Sequence, residues 1–124
     1  MSMPKRFLLS FVALVVTTNV WAHGEPVAKR GGILQQVDDL AFELVVRDDK
    51  IDLYVYDGPE EVSSENMSGV LTIISGAERS RADLKPTGIN RLRATDVTAA
   101  SGSRVVAIVR LGDGKSLAVE FAVP

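Results

Sequence analysis

Cysteine is absent from this 124-residue chain. No disulfide can therefore staple the fold, and neither a thiolate nucleophile nor a thiolate metal site is available. A bound metal ion would have to use nitrogen, oxygen or thioether ligands. The folded state must depend on its apolar core, and the valine, isoleucine and leucine content is sufficient for one core of modest size.

Histidine is almost as scarce, because His23 is the only one in the chain. A serine nucleophile would have no rigidly placed general base, and the carboxylates are spread along turns without a recognisable acid–base pair. An oxidative copper site of the two-histidine kind would need a second imidazole. The sequence therefore predicts a protein that is not an enzyme.

The N-terminus has the pattern of a secretory signal peptide. A short basic segment precedes an apolar run over residues 7–16, and Ala22 supplies the small residue wanted before a cleavage site. The run is shorter than the roughly 20 residues that a membrane-spanning helix needs. We therefore expect residues 1–22 to be removed, and the mature protein to begin at His23 in a bacterial periplasm without spanning the membrane.

Charge in the mature chain is negative. Loss of Lys5 and Arg6 lowers the basic count from 14 to 12 against 16 acids, which gives a formal charge of −4. Such a domain is poorly suited to a phosphate backbone, so we expect no nucleic-acid partner. The acids between Asp48 and Glu65, Asp52 among them, lack the spacing of a calcium loop and are best explained as solvated turns.

Apolar residues alternate with polar ones through most of the mature chain, which is the period of half-buried strands. Phe42 and Leu44 share one face, with Glu43 on the other. The pattern recurs beyond the short connection 47–50, where Leu53 alternates with polar neighbours, and this indicates a hairpin. No segment of useful length has helical periodicity.

Turn residues divide the rest of the chain into strands, with a loop over 57–68. The predicted strands are 33–37, 40–46, 51–56, 70–75, 79–85, 89–95, 105–111 and 117–123. We therefore expect a flexible arm over 23–32 and one domain over 33–124. That domain should be all-β, an immunoglobulin-like antiparallel β-sandwich of about seven to eight strands with two open sheets rather than a closed barrel.

His23 is the first candidate ligand. Cleavage before it would free an amino group that, with the imidazole, could chelate one Cu or Zn ion, and Glu25 could add an oxygen. Met67 offers a thioether to Cu(I) from an acidic loop. The alternatives are a disordered arm without metal and a methionine that packs its loop onto the sandwich.

Tyr54 and Tyr56 are a candidate for partner binding. They share the strand face opposite Leu53 and could present an aromatic patch to another protein. Equally, they could cover a sheet edge or the second sheet.

Several stretches of the chain resemble a group of small periplasmic proteins that accompany heavy-metal efflux systems in Gram-negative bacteria. The stretches that carry the resemblance are His23-Gly24, Gly31-Gly32-Ile33-Leu34, residues 39–45, residues 53–57, Gly69-Val70-Leu71-Thr72, residues 84–88 and Asn90-Arg91-Leu92. The resemblance implies a periplasmic sandwich with a role near the export of copper or another transition metal. Where relatives often have histidine, this chain has Arg30, Ala41 and Gly58, so His23 is the ligand that carries over.

Two functions follow from these observations. The first is a periplasmic accessory domain of a metal-efflux or resistance system, which engages components of that system and binds a metal ion weakly at its N-terminus. The second is a metal-free periplasmic interaction module whose contact surface includes Tyr54 and Tyr56.

Overall fold

The computed structural model describes residues 27–124, which form nine β-strands and no helix. The strands are β1 (Ile33–Val37), β2 (Leu40–Val46), β3 (Lys50–Asp57), β4 (Glu60–Glu61), β5 (Ser68–Ser75), β6 (Glu78–Thr87), β7 (Arg91–Thr95), β8 (Arg104–Arg110) and β9 (Ser116–Ala122). Every pairing between them is antiparallel. The all-β antiparallel expectation is confirmed for these residues.

The strands follow one continuous order, β1-β2-β3-β7-β6-β5-β8-β9, and β4 pairs with β3 outside that path. The sandwich has a first half, β1-β2-β3-β7, and a second half, β5-β8-β9. Strand β6 joins the two halves, because its residues 78–84 pair with β5 and its residues 85–87 pair with β7. At the far side, β1 and β9 lie against each other. The domain is therefore a nearly closed, barrel-like sandwich rather than two separate sheets.

The core lies between the two halves. Phe42, Leu44 and Leu53 from the first half are fully buried with Leu71 and Phe121 from the second. In β2 and β3 the apolar residues that alternate along the chain all face this core, as their spacing predicted.

The opposite, outer face of β2 and β3 carries the polar and aromatic positions. Glu43 is directly opposite Tyr54, and Ala41 is opposite Tyr56. Directly opposed residues share a face, so these side chains meet outside the core. A segment that precedes β1 covers this outer face.

Candidate functional site

A buried carboxylate fastens the segment before β1 to the sheet. We call residues 27–32 the strap. The Glu43 side chain is fully buried and accepts backbone hydrogen bonds from Lys29 N at 2.9 Å, Arg30 N at 2.8 Å and Gly32 N at 2.8 Å. Hydrogen bonds to a charged acceptor are about twice as strong as neutral ones. Part of the arm expected to be flexible, 29–32, is thus hydrogen-bonded to β2.

Glycine lets the strap lie close to β2. A Cβ atom on Gly32 would clash with the Leu44 carbonyl oxygen, so a side chain there would push the strap away. Gly31 has a φ of +73°, a left-handed conformation that side chains disfavour. The two glycines together allow the turn that brings three N–H groups onto one carboxylate.

The strap side chains cover the two tyrosines. Tyr54 and Tyr56 are 4% and 3% exposed. The Arg30 guanidinium carbon is 4.1 Å from the Tyr54 ring centre, and Lys29 Nζ is 4.9 Å from the Tyr56 ring centre. Arg30 Nε also donates to Tyr56 Oη at 3.1 Å, which raises the pKa of the guanidinium. We call the cluster of Lys29, Arg30, Tyr54 and Tyr56 the tyrosine face. Its outward surface is cationic rather than aromatic.

An ion-paired carboxylate lies next to the tyrosine face. Asp52 is fully buried and accepts hydrogen bonds from Arg93 Nε at 2.6 Å, Arg93 Nη2 at 3.0 Å and Arg47 Nε at 3.2 Å. Burial by itself raises the pKa of this carboxyl, but the two arginines outweigh it and leave the pKa below its usual value. The interpretation of Asp52 as a solvated turn residue is therefore wrong, because it is buried and pairs with Arg93 from β7 and with Arg47, which follows β2.

Arg91 has fewer polar partners than its neighbour Arg93. Its Nη1 makes a long contact of 3.4 Å to Tyr54 Oη, and its guanidinium carbon is 5.9 Å from the centre of that ring. Its Nε is buried without a hydrogen-bond partner, and within the described range it forms no salt bridge. A buried donor without an acceptor costs free energy. The Arg91 guanidinium therefore has hydrogen-bond donors that the described residues do not satisfy.

A cleft opens where β6 diverges from β7, beside the tyrosine face. Its volume is about 690 Å³. Its lining includes three basic residues, Arg81, Lys85 and Arg93, and two acidic ones, Asp83 and Asp96. Lys85 is paired directly with Arg93, so the basic surface of the tyrosine face continues into the cleft.

Of the three predicted metal ligands, the structure describes Met67 alone. His23 and Glu25 lie outside the described residues. Met67 is 7% exposed and packs into the main core, in line with the packing alternative. Across residues 27–124 there is no group of three or more histidine, cysteine, aspartate or glutamate side chains that could hold a metal ion.

Sequence reasoning missed the role of Glu43. Alternation placed it on the outer face, where a glutamate is ordinarily solvated. The available signal was its surroundings, because Ala41 and Val45 on the same face are apolar and a glutamate between them needs a partner. The partner is a backbone segment more than ten residues away, which alternation does not reveal.

No family model, no curated protein and no solved structure matches this chain. Residues 27–124 include no helix that is long and apolar enough to cross a membrane.

Proposed function

We propose that the protein is an exported, non-catalytic accessory domain of a transition-metal efflux or resistance system, with an immunoglobulin-like fold and a weak Cu or Zn site at its mature N-terminus. The observation that carries the proposal is the attachment of the strap to Glu43. A chain cleaved before His23 would have only six residues ahead of Lys29. These span at most roughly 20 Å, so the metal would stay within that distance of Lys29.

The chemistry of the proposed site is that of a terminal histidine. A free amino nitrogen and an imidazole nitrogen close one chelate ring on the ion, and the Glu25 carboxylate adds an oxygen. The residues that resemble the metal-efflux group support the same role. In the absence of cysteine, this is the strongest nitrogen site that the mature chain offers.

The test is a Cu(II) titration of protein purified from the periplasm, whose intact mass identifies His23 as the first residue. His23→Ala and a variant with one extra residue ahead of His23 should both bind Cu(II) more weakly, because the chelate ring is lost. Binding by the normal protein should weaken as pH falls, since both nitrogens take up protons. Met67→Leu, which keeps the core filled, should bind as the normal protein does.

The second candidate is a metal-free interaction module, and the cationic cover of the tyrosine face favours it. Equal Cu(II) affinity in the normal and His23→Ala proteins, or no binding in either, would leave this candidate as the better one. A gene neighbourhood without efflux-pump genes would also favour it.

A further inference from the structure

Positive charge accumulates on the tyrosine face although the chain as a whole is acidic. Lys29 and Arg30 lie above the tyrosines, and Arg91, Arg93 and Lys85 occupy neighbouring positions. Lys85 is directly opposite Arg93, and like charges at such positions are destabilising. Arg93 is compensated by Asp52, whereas Lys85 forms no salt bridge among the described residues and leaves its charge open to a group from outside.

The carboxylates of this face are already engaged. Glu43 is occupied by the strap, Asp52 by Arg47 and Arg93, and Glu61 by Arg30 at 3.4 Å. None of them reaches the Arg91 side chain, whose only hydrogen bond among the described residues is the long contact to Tyr54. Arg91 can therefore turn toward a new acceptor without giving up a strong interaction.

We propose that the tyrosine face binds an acidic segment of a partner protein, with Arg91 as the anchoring side chain and Arg30 and Lys85 beside it. A carboxylate suits Arg91 because the planar guanidinium can donate two parallel hydrogen bonds to its two oxygens. The proposal gives a partner class to the interaction role of this face and does not depend on metal binding.

The charge of the domain distinguishes an acidic peptide from a phosphate polymer. A long polyanion would extend beyond the basic face over a surface whose overall charge is negative, and it would be repelled there. A short acidic segment would contact only the surface immediately around Arg91. The mixed lining of the adjacent cleft, with Asp83 and Asp96 among its basic residues, also fits a peptide of mixed polarity better than a polyphosphate.

The probe is a fluorescein-labelled hexaglutamate peptide, titrated in the presence of a metal chelator so that the N-terminal metal site has no influence. Binding is followed by anisotropy of the label and by tyrosine fluorescence. Tyr54 and Tyr56 are the only tyrosines in the chain, so the second signal reports this face alone. Arg91→Gln should weaken binding about tenfold, which corresponds to ~1.4 kcal/mol.

Two further variants make the test specific. Arg104→Gln removes an arginine from β8 that pairs with Glu120 in the other half of the sandwich, and it should bind as the normal protein does. Arg91→Lys keeps the charge but not the fork of donors, and it should give intermediate affinity. Circular dichroism melts identify any variant that is unfolded.

Three results would overturn the proposal. The first is equal affinity for Arg91→Gln, Arg91→Lys and the normal protein. The second is inorganic phosphate that binds as tightly as the peptide at matched ionic strength, and the third is the absence of any change in tyrosine fluorescence when peptide is bound.

Discussion

Two buried carboxylates on neighbouring strands are stabilised in different ways. Glu43 is surrounded by backbone N–H groups, so its charge is balanced by dipoles that the strap brings to it. Asp52 is balanced by two full charges, from Arg47 and Arg93. Both avoid the large cost of an unpaired buried charge, and each does so through partners outside its own strand.

Asp52→Asn should lower the free energy of unfolding by about 1–3 kcal/mol at neutral pH, because both arginines lose a charged acceptor. The pKa of Asp52 is depressed in the folded protein. Its stabilisation is therefore complete above the pKa of the unfolded carboxyl, about 4, and is lost as pH falls through the folded value. The free energies of unfolding of the two proteins, measured with urea, should therefore differ at neutral pH, and the difference should narrow in acid.

Asp83→Asn is the matched control for this prediction. Asp83 is exposed on β6 and forms no salt bridge among the described residues. Its replacement should change the free energy of unfolding by less than about 0.5 kcal/mol. A gap between Asp52→Asn and the normal protein that stayed constant into acid would contradict the assigned ion pairs.

At the scale of an element, the strap behaves as an added layer on the first half of the sandwich. It contributes no ladder of strand hydrogen bonds. Its attachment rests on the Glu43 carboxylate, on the side-chain contacts of Lys29 and Arg30, and on the space that Gly32 leaves. Elements held by few contacts open more readily than the strands beneath them. Tyr54 and Tyr56 are therefore shielded from solvent only while the strap stays attached to the sheet.

Glu43→Gln should loosen the strap, because a neutral amide presents one weaker acceptor and an N–H₂ group to three N–H donors. The expected loss is about 1–3 kcal/mol. Amide hydrogen exchange at Lys29, Arg30 and Gly32 should become faster, with exchange in β8 and β9 unchanged. Glu120→Gln, which removes a half-exposed partner of Arg104, is the control and should leave strap exchange as it is.

The strand boundaries show what alternation can predict. Strand β1 matches its expected range, and the 47–50 hairpin is confirmed by the pairing of β2 with β3. The prediction ended the strand that begins at Arg79 at Lys85, because Pro86 and Gly88 are turn residues, yet β6 continues to Thr87 and pairs with β7. The loop predicted over 57–68 also contains the two-residue strand β4.

The candidate site was predictable only in part. Alternation correctly separated Tyr54 and Tyr56 from the core face, because a strand's period is a local property. It could not show that Lys29 and Arg30 cover them, since that contact joins segments more than twenty residues apart. Long-range contacts of this kind depend on the closed fold, which no single segment encodes.

At the scale of the molecule, the two halves share one core. Residues from β2, β3 and β7 and residues from β5, β8 and β9 belong to the same buried cluster. Neither half alone could bury its apolar inner face, so we expect the two halves to unfold together. The tyrosines report the first half, whereas far-UV circular dichroism reports both.

Leu53→Ala should lower the free energy of unfolding by roughly 2–5 kcal/mol, because Leu53 is fully buried in that core. The transitions seen by tyrosine fluorescence and by circular dichroism should still coincide. Ile108→Ala is the control, since Ile108 is 45% exposed and its truncation should cost much less. Separated transitions would show that the halves are independent units.

The contact between β1 and β9 joins the first and last strands of the described residues. The first and last strands of the domain meet, so a chain synthesised from its N-terminus cannot close until its final strand has emerged. Loop closure over that distance is entropically costly, and topologies dominated by distant pairings fold slowly. We therefore expect slow folding, during which the edge of β1 stays exposed to other chains until β9 packs against it.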